Sequence, residues 1–109
     1  MSIDLPRPIA LYVAAENAGE TATLDECFTA AATVRDEGQT YRGLAAIREW
    51  KVETKRKYKH RVTPLELVER DGITLLKARL EGDFPGSPVT LQFRFTLEGD
   101  RIAALEIGK

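Results

Sequence analysis

Val89, Leu91, Phe93, Phe95 and Leu97 alternate with Thr90, Gln92, Arg94 and Thr96, the cleanest alternation in the chain. A period of two sends the first set to one face of an extended strand and the second set to the other. Such a strand needs neighbours to pair with and a layer to cover its apolar face. The flanking sequence provides the neighbours. Asp71-Gly72 is a strong two-residue hairpin signal between strands expected over residues 58–69 and 73–81. Phe84-Pro85-Gly86-Ser87-Pro88 cannot continue a ladder and makes a rigid connection. Glu98-Gly99-Asp100 turns the chain into a last strand over residues 101–107.

The covering layer comes from the front half. Pro6 and Pro8 suit a helix entry, and good helix formers run from Ile9 to Glu16. Gly19 accepts the left-handed conformation that closes a helix. Thr23-Leu24-Asp25-Glu26 reads as a capping box opening a short second helix with Leu24, Cys27 and Phe28. Residues 32–36 read as a short strand, 37–39 as a turn and 40–42 as a return strand. A third helix is expected over residues 44–57, with Leu44, Ile47, Trp50 and the stem of Lys51 inward. Glu53 and Lys57 stand at the i,i+4 spacing of a helical ion pair. Helices before strands give an α+β class in the order ααββαββββ, helices covering one sheet face.

The length of 109 residues fits a single domain over residues 1–109. With 43% hydrophobic and 30% charged residues, one core can form without staples. One cysteine, Cys27, excludes an internal disulfide framework and a cysteine-rich zinc site, and one histidine, His60, excludes a His-rich metal centre. No cofactor and no metal are expected. The opening residues carry neither a basic region nor an apolar core of a signal peptide, and no apolar run approaches membrane-spanning length; a cytoplasmic protein without membrane contact is expected. A net charge of −1 gives no pull toward nucleic acid. Residues 48–61 nevertheless hold seven cations against two anions. That run reads as a solvated helix face with its exit turn, or as a patch for an anionic partner.

Asp36 is the acid that stands out. Alternation places it on the side of Ala32 and Val34, where partial desolvation would raise its pKa and make it a usable base. The alternative is a turn-capping aspartate bonded to nearby N–H groups. Cys27 reads as a small buried hydrophobe. Tyr41, Trp50 and Tyr58 suit either a pocket mouth or rim packing. His60, alternating with Tyr58 and Val62, suits either a structural role or a second proton carrier opposite Asp36.

Four segments carry a family resemblance. Tyr12-Val13-Ala14-Ala15-Glu16-Asn17-Ala18-Gly19 resembles the first helix of bacterial steroid delta-isomerases (ketosteroid isomerases). Ala32-Thr33-Val34-Arg35-Asp36 is similar to their Ala-Thr-Val-Glu-Asp strand. Gly43-Leu44-Ala45-Ala46-Ile47-Arg48-Glu49-Trp50 resembles their third-helix entry, and Phe93-Arg94-Phe95 their late Phe-Arg-Phe. The resemblance covers the first half of the chain best and points to the NTF2-like superfamily, which includes SnoaL-like polyketide cyclases. It implies a cone: three helices on a curved antiparallel sheet of about six strands with mixed pairing at one edge, around an apolar pocket.

Roles follow from the resemblance. Asp36 matches the catalytic base that moves a proton beside a ketone, and Tyr12 the hydrogen-bond donor to the dienolate oxygen. Phe28, Trp50, Tyr58, His60, Leu91 and Phe93 are expected to line the ligand pocket. The sequence departs from the isomerases where their second oxyanion donor, an aspartic acid, is replaced by Leu91, and where a further tyrosine is replaced by Lys51. Losing one such donor costs about 3 kcal/mol of oxyanion stabilisation, so efficient steroid isomerisation is not expected. The expected function is a small-molecule pocket protein that performs proton-transfer isomerisation or cyclisation of an apolar carbonyl compound. The alternative is a non-catalytic dimeric module for a ligand or another chain. Leu75 with Leu76, and Ile102 with Leu105, look apolar on both sheet faces, which predicts a homodimer through the outer sheet face.

Overall fold

A computed structural model describes residues 3–108. Helix α1 (Arg7–Ala18) starts behind Pro6 and stops at Gly19, whose φ of 70° lets its N–H reach the Ala15 carbonyl. Helix α2 (Leu24–Cys27) is a single turn. Strand β1 (Phe28–Asp36) and β2 (Gln39–Arg42) form a hairpin, and α3 (Gly43–Tyr58) follows. Strands β3 (Arg61–Arg70), β4 (Ile73–Glu81), β5 (Val89–Glu98) and β6 (Arg101–Gly108) complete the chain. The sheet order is β2-β1-β6-β5-β4-β3, antiparallel throughout except that β1 runs parallel to β6. The expected class and the cone, with three helices on a six-stranded sheet, are both present.

Two hairpins owe their tightness to their turn residues. Glu37-Gly38 and Asp71-Gly72 all have positive φ, the requirement of a two-residue turn that matches strand twist. The first turn pairs Asp36 with Gln39, so Asp36 is the last residue of its strand. On β5 the alternation holds: Phe93 and Phe95 are buried while Thr90, Gln92, Arg94 and Thr96 are exposed. They meet Ile9, Tyr12 and Val13 of α1 and Ile47 and Trp50 of α3 in one core.

Several sequence expectations need correction. The capping box does not form. Thr23 makes no side-chain cap, and its carbonyl instead accepts from Glu26 and Cys27 N–H. Phe28 begins β1 rather than ending the second helix, so the strand is four residues longer than its apolar signal. Tyr58 closes α3, because Lys59 turns left-handed (φ 50°) and caps on the Lys55 carbonyl. His60 therefore sits in a connector, and its supposed alternation with Tyr58 and Val62 does not exist. Glu53 pairs with Arg56 and not with Lys57.

The two-faced appearance of Ile102 and Leu105 also dissolves. Thr96 pairs with Ala104 but Leu97 pairs with Ile102, so Ala103 is an extra residue, a β-bulge. The bulge resets the phase, and both Ile102 and Leu105 enter the same core. A second bulge at Leu65 lies between the Pro64–Ala78 and Glu66–Lys77 pairs.

Candidate functional site

The helices seal the sheet at the end where β5 finishes and leave it open where β5 begins. At the open end a cavity of about 600 Å³ enters the cone. Its floor is Phe93, Leu91, Val62 and Ile107. Its walls are Tyr12 and Glu16 from α1, Asp36 from β1, and Trp50 and Thr54 from α3. The connector between β4 and β5 overhangs it with Phe84, Pro85 and Gly86, and Tyr58 packs edge-on against Phe84 at 5.8 Å. Cavities of this size suit a small organic molecule.

Asp36 occupies the end of β1 on the inner face, in line with Val34 and Ala32. Its Oδ2 accepts a hydrogen bond from Trp50 Nε1 at 3.0 Å. The partner is an indole across the cavity wall and not a turn amide. Burial pushes the carboxyl above its usual range; the Trp50 hydrogen bond pulls it back, and the charges of Glu37 and Glu16 push it up again.

Tyr12 is fully buried and edge-packed against Phe28, Phe93 and Phe95, at 6.0, 6.3 and 5.6 Å between ring centroids. Its phenol is raised well above the ordinary value, by burial first and by the neighbouring Glu16 charge second. At neutral pH it is a donor.

Behind Tyr12 lies a charged network that sequence reasoning missed. Glu16 is 3% exposed, Lys51 4% and His60 6%. Glu16 Oε2 accepts from Lys51 Nζ at 3.2 Å, and Oε1 bonds His60 Nε2 at 2.9 Å. The Lys51 ammonium also stands 4.6 Å from the centre of the Tyr12 ring. Burial alone would raise the Glu16 carboxyl, but the His60 hydrogen bond and the Lys51 charge outweigh it and bring it to about 2. Asn17 ties the adjoining elements together: its amide donates to the Val62 carbonyl at 3.0 Å and its oxygen accepts from Val62 N–H at 2.7 Å. The signal for the network was available. Glu16 lies four and seven residues after Tyr12 and Ile9, and Lys51 four after Ile47, so opposite charges occupy core-facing positions on two helices.

The other expected lining residues divide. Trp50, Tyr58, His60, Leu91 and Phe93 border the cavity. Phe28 does not; it packs behind Tyr12 in the core. Tyr41 stands behind Trp50, 5.9 Å ring to ring. Tyr58 donates to Glu37 at the rim, at 3.3 Å. Among the described residues no three His, Cys, Asp or Glu side chains gather as a metal site, and no helix is long and apolar enough to cross a membrane. Within the basic run, Lys51 is consumed by Glu16, Arg56 by Glu53, and Lys55 by the carbonyls of Asn17 and His60.

A helix-covered, six-stranded cone with a polar-walled apolar cavity at one end defines the NTF2-like class of pocket proteins. Within it, the chain belongs to the SnoaL-like domain family, whose pattern it matches over residues 9–105. It is similar to SMa1630 of Sinorhizobium meliloti, which carries a provisional polyketide cyclase name: 40% identity over 98% of each chain, TM-score 0.92. Two more distant structures share the fold. One is a Catenulispora acidiphila protein with a ketosteroid isomerase-like fold, solved with trimethylamine (20% identity, 97% of this chain and 87% of that one, TM-score 0.77). The other is SalBIII, an epoxide hydrolase/cyclase-like enzyme of pyran ring formation in salinomycin (20%, 93% and 86%, TM-score 0.77). No curated protein matches the sequence.

Proposed function

We propose that the protein catalyses proton transfer on an apolar carbonyl compound, in an isomerisation or cyclisation, with Asp36 as base and Tyr12 as donor to the oxyanion. The observation that carries this reading is the Asp36 carboxyl at an apolar cavity wall, lifted by burial toward the range of a working base and aimed by Trp50 Nε1. Tyr12, protonated and desolvated in the same cavity, is the kind of donor that stabilises enolate charge as it develops. The provisional cyclase name of the Sinorhizobium meliloti relative is in keeping with such chemistry. Leu91, apolar at the cavity floor, argues against efficient steroid isomerisation, because only one oxyanion donor then remains.

The test uses 2-tetralone in deuterated buffer, with α-proton exchange followed by NMR. The wild type exchanges faster than buffer. Asp36→Asn lowers the rate by about 10²–10⁴-fold, the usual worth of a general base. Tyr12→Phe lowers it by about 10²–10³-fold. Equal rates in both variants and the wild type would end the reading. Leu91 favours one alternative, a pocket that binds without turnover: there 2-tetralone shifts the Trp50 indole resonance saturably while exchange stays at the buffer rate.

A further inference from the structure

His60 is the chain's one histidine, and its ring holds an unsolved polar group. Nε2 is bonded to Glu16, but Nδ1 is buried with no hydrogen-bond partner among the described residues. A buried ring nitrogen without a partner is a standing desolvation cost, and folded proteins rarely leave one outside a functional site. The residue is more than nine-tenths buried, and it borders the cavity.

The network fixes which lone pair is free. Glu16 is ionised and can only accept, so the proton between the two groups sits on His60 Nε2. Lys51 already balances the Glu16 charge at 3.2 Å, and in a neutral imidazole that carries its proton on Nε2 the other nitrogen carries none. Nδ1 is left as a bare acceptor. Such a carboxylate behind an imidazole is the common means of setting its tautomer. The cavity wall adds a constraint on charge. Among the described residues, Glu16, Asp36 and Glu37 border it, and no lysine or arginine does. An anionic ligand would meet the charge of these carboxylates.

We propose that the ligand of this cavity is an uncharged apolar molecule bearing a hydroxyl group, which donates to His60 Nδ1, while Glu16 and Lys51 act as positioning residues that hold the imidazole in the accepting tautomer. The inference rests on the cavity being a ligand site, as in the function proposed above, but does not depend on proton transfer by Asp36.

The single histidine and single tryptophan make the test clean. In protein labelled with ¹⁵N-histidine and ¹⁵N-tryptophan, the His60 nitrogens report the tautomer and the Trp50 indole N–H reports occupancy. The probes are 2-naphthol and naphthalene, alike except for the hydroxyl. In the free protein Nδ1 is expected to be the unprotonated, pyridine-type nitrogen. Saturation with 2-naphthol shifts Nδ1; saturation with naphthalene moves only Trp50. In Glu16→Leu/Lys51→Met, which removes both charges together, the two His60 nitrogens average between tautomers. There the preference for 2-naphthol over naphthalene falls about tenfold, one hydrogen bond's worth. His60→Leu shows the same affinity pattern and serves if the double variant does not fold. A protonated Nδ1 in the free protein overturns the proposal. So does 2-naphthol occupancy that moves Trp50 and leaves Nδ1 still, with the cavity reading intact. If neither probe moves either signal, both readings fall.

Discussion

Two carboxylates share one cavity wall and are driven in opposite directions. Asp36 has one hydrogen bond against burial and is raised; Glu16 has a lysine and a histidine against deeper burial and is lowered to about 2. The consequences for stability have opposite signs. A raised carboxyl binds its proton more tightly folded than unfolded, so ionised Asp36 costs stability at every pH above its folded value. Asp36→Asn is therefore expected to melt higher than the wild type at pH 7 while losing α-proton exchange, and the difference in melting temperature is expected to vanish below pH 3.8, the ordinary aspartate value. A variant that melts lower at pH 7 would show that the carboxylate is well solvated. Glu16 works the other way. Its contribution is complete above about 4.5, the unfolded value, and is lost as pH falls toward about 2. At 1.36 kcal/mol per unit it amounts to on the order of 3 kcal/mol, seen as acid unfolding in a denaturant titration repeated across that window. Lys51→Met alone strands the buried carboxylate and is expected to cost about 3–5 kcal/mol, far more than removing both charges together.

At the scale of elements, the exit of α3 governs where His60 stands. Lys59 turns left-handed, His60 follows, and Gly82 of the β4–β5 connector presses against the backbone of Tyr58 and His60. A Cβ on Gly82 would lie 2.6 Å from the Tyr58 carbonyl oxygen and 2.8 Å from His60 Cα. Neither atom can swing away. Gly82→Ala is thus expected to destabilise by about 1–3 kcal/mol, as overpacking does, and to shift the His60 resonances. A melting temperature equal to the wild type would mean the connector is free to lift. None of this was legible in the sequence, because close approach between segments over twenty residues apart leaves no periodic trace. The elements themselves were legible wherever period and turn chemistry agreed: the β5 alternation, the Asp71-Gly72 hairpin and the Gly19 stop. They failed where only an edge was at stake. Apolar pattern did not reveal that β1 begins at Phe28 or that α3 runs through Tyr58. Nor did it reveal the Ala103 bulge, since one inserted residue looks in sequence like a strand apolar on both faces. For the site, strand alternation marked Asp36, and resemblance added Tyr12. Glu16 and Lys51 escaped because a charged residue in a core phase reads as noise until its partner on another helix is seen.

For the whole molecule, the bulge changes the case for a second copy. With Ile102 and Leu105 both turned into the core, the apolar content of the outer sheet face rests on β3 and β4. Val68 stands opposite Leu75, Ile73 lies beside them, and the bulged Leu65 is close along β3. Val68 is 41% exposed and Leu65 46%. The rest of that face is polar, with Arg94 within 3.7 Å of Glu106 and Lys77 within 4.0 Å of Glu66. A face-to-face dimer would therefore have an apolar strip at the β3–β4 side and a charged field toward β6, more like a non-obligate interface than a core cut in half. Burying the four apolar side chains of the strip gains a few kcal/mol at about 25 cal/mol per Å², and the ion pairs would add register more than affinity. The expectation is a reversible dimer at tens of micromolar that dissociates on dilution. A charge at the centre of the strip, Val68→Glu, is expected to leave the melting temperature nearly unchanged and give a monomer by light scattering. A wild-type monomer at that concentration, or a Val68→Glu dimer, would place the contact elsewhere or remove it. The cavity opens at the end of the cone where β5 begins, and its lining comes entirely from residues other than this strip. Monomeric Val68→Glu should accordingly exchange 2-tetralone protons at the wild-type rate per chain, which separates assembly from chemistry in one variant.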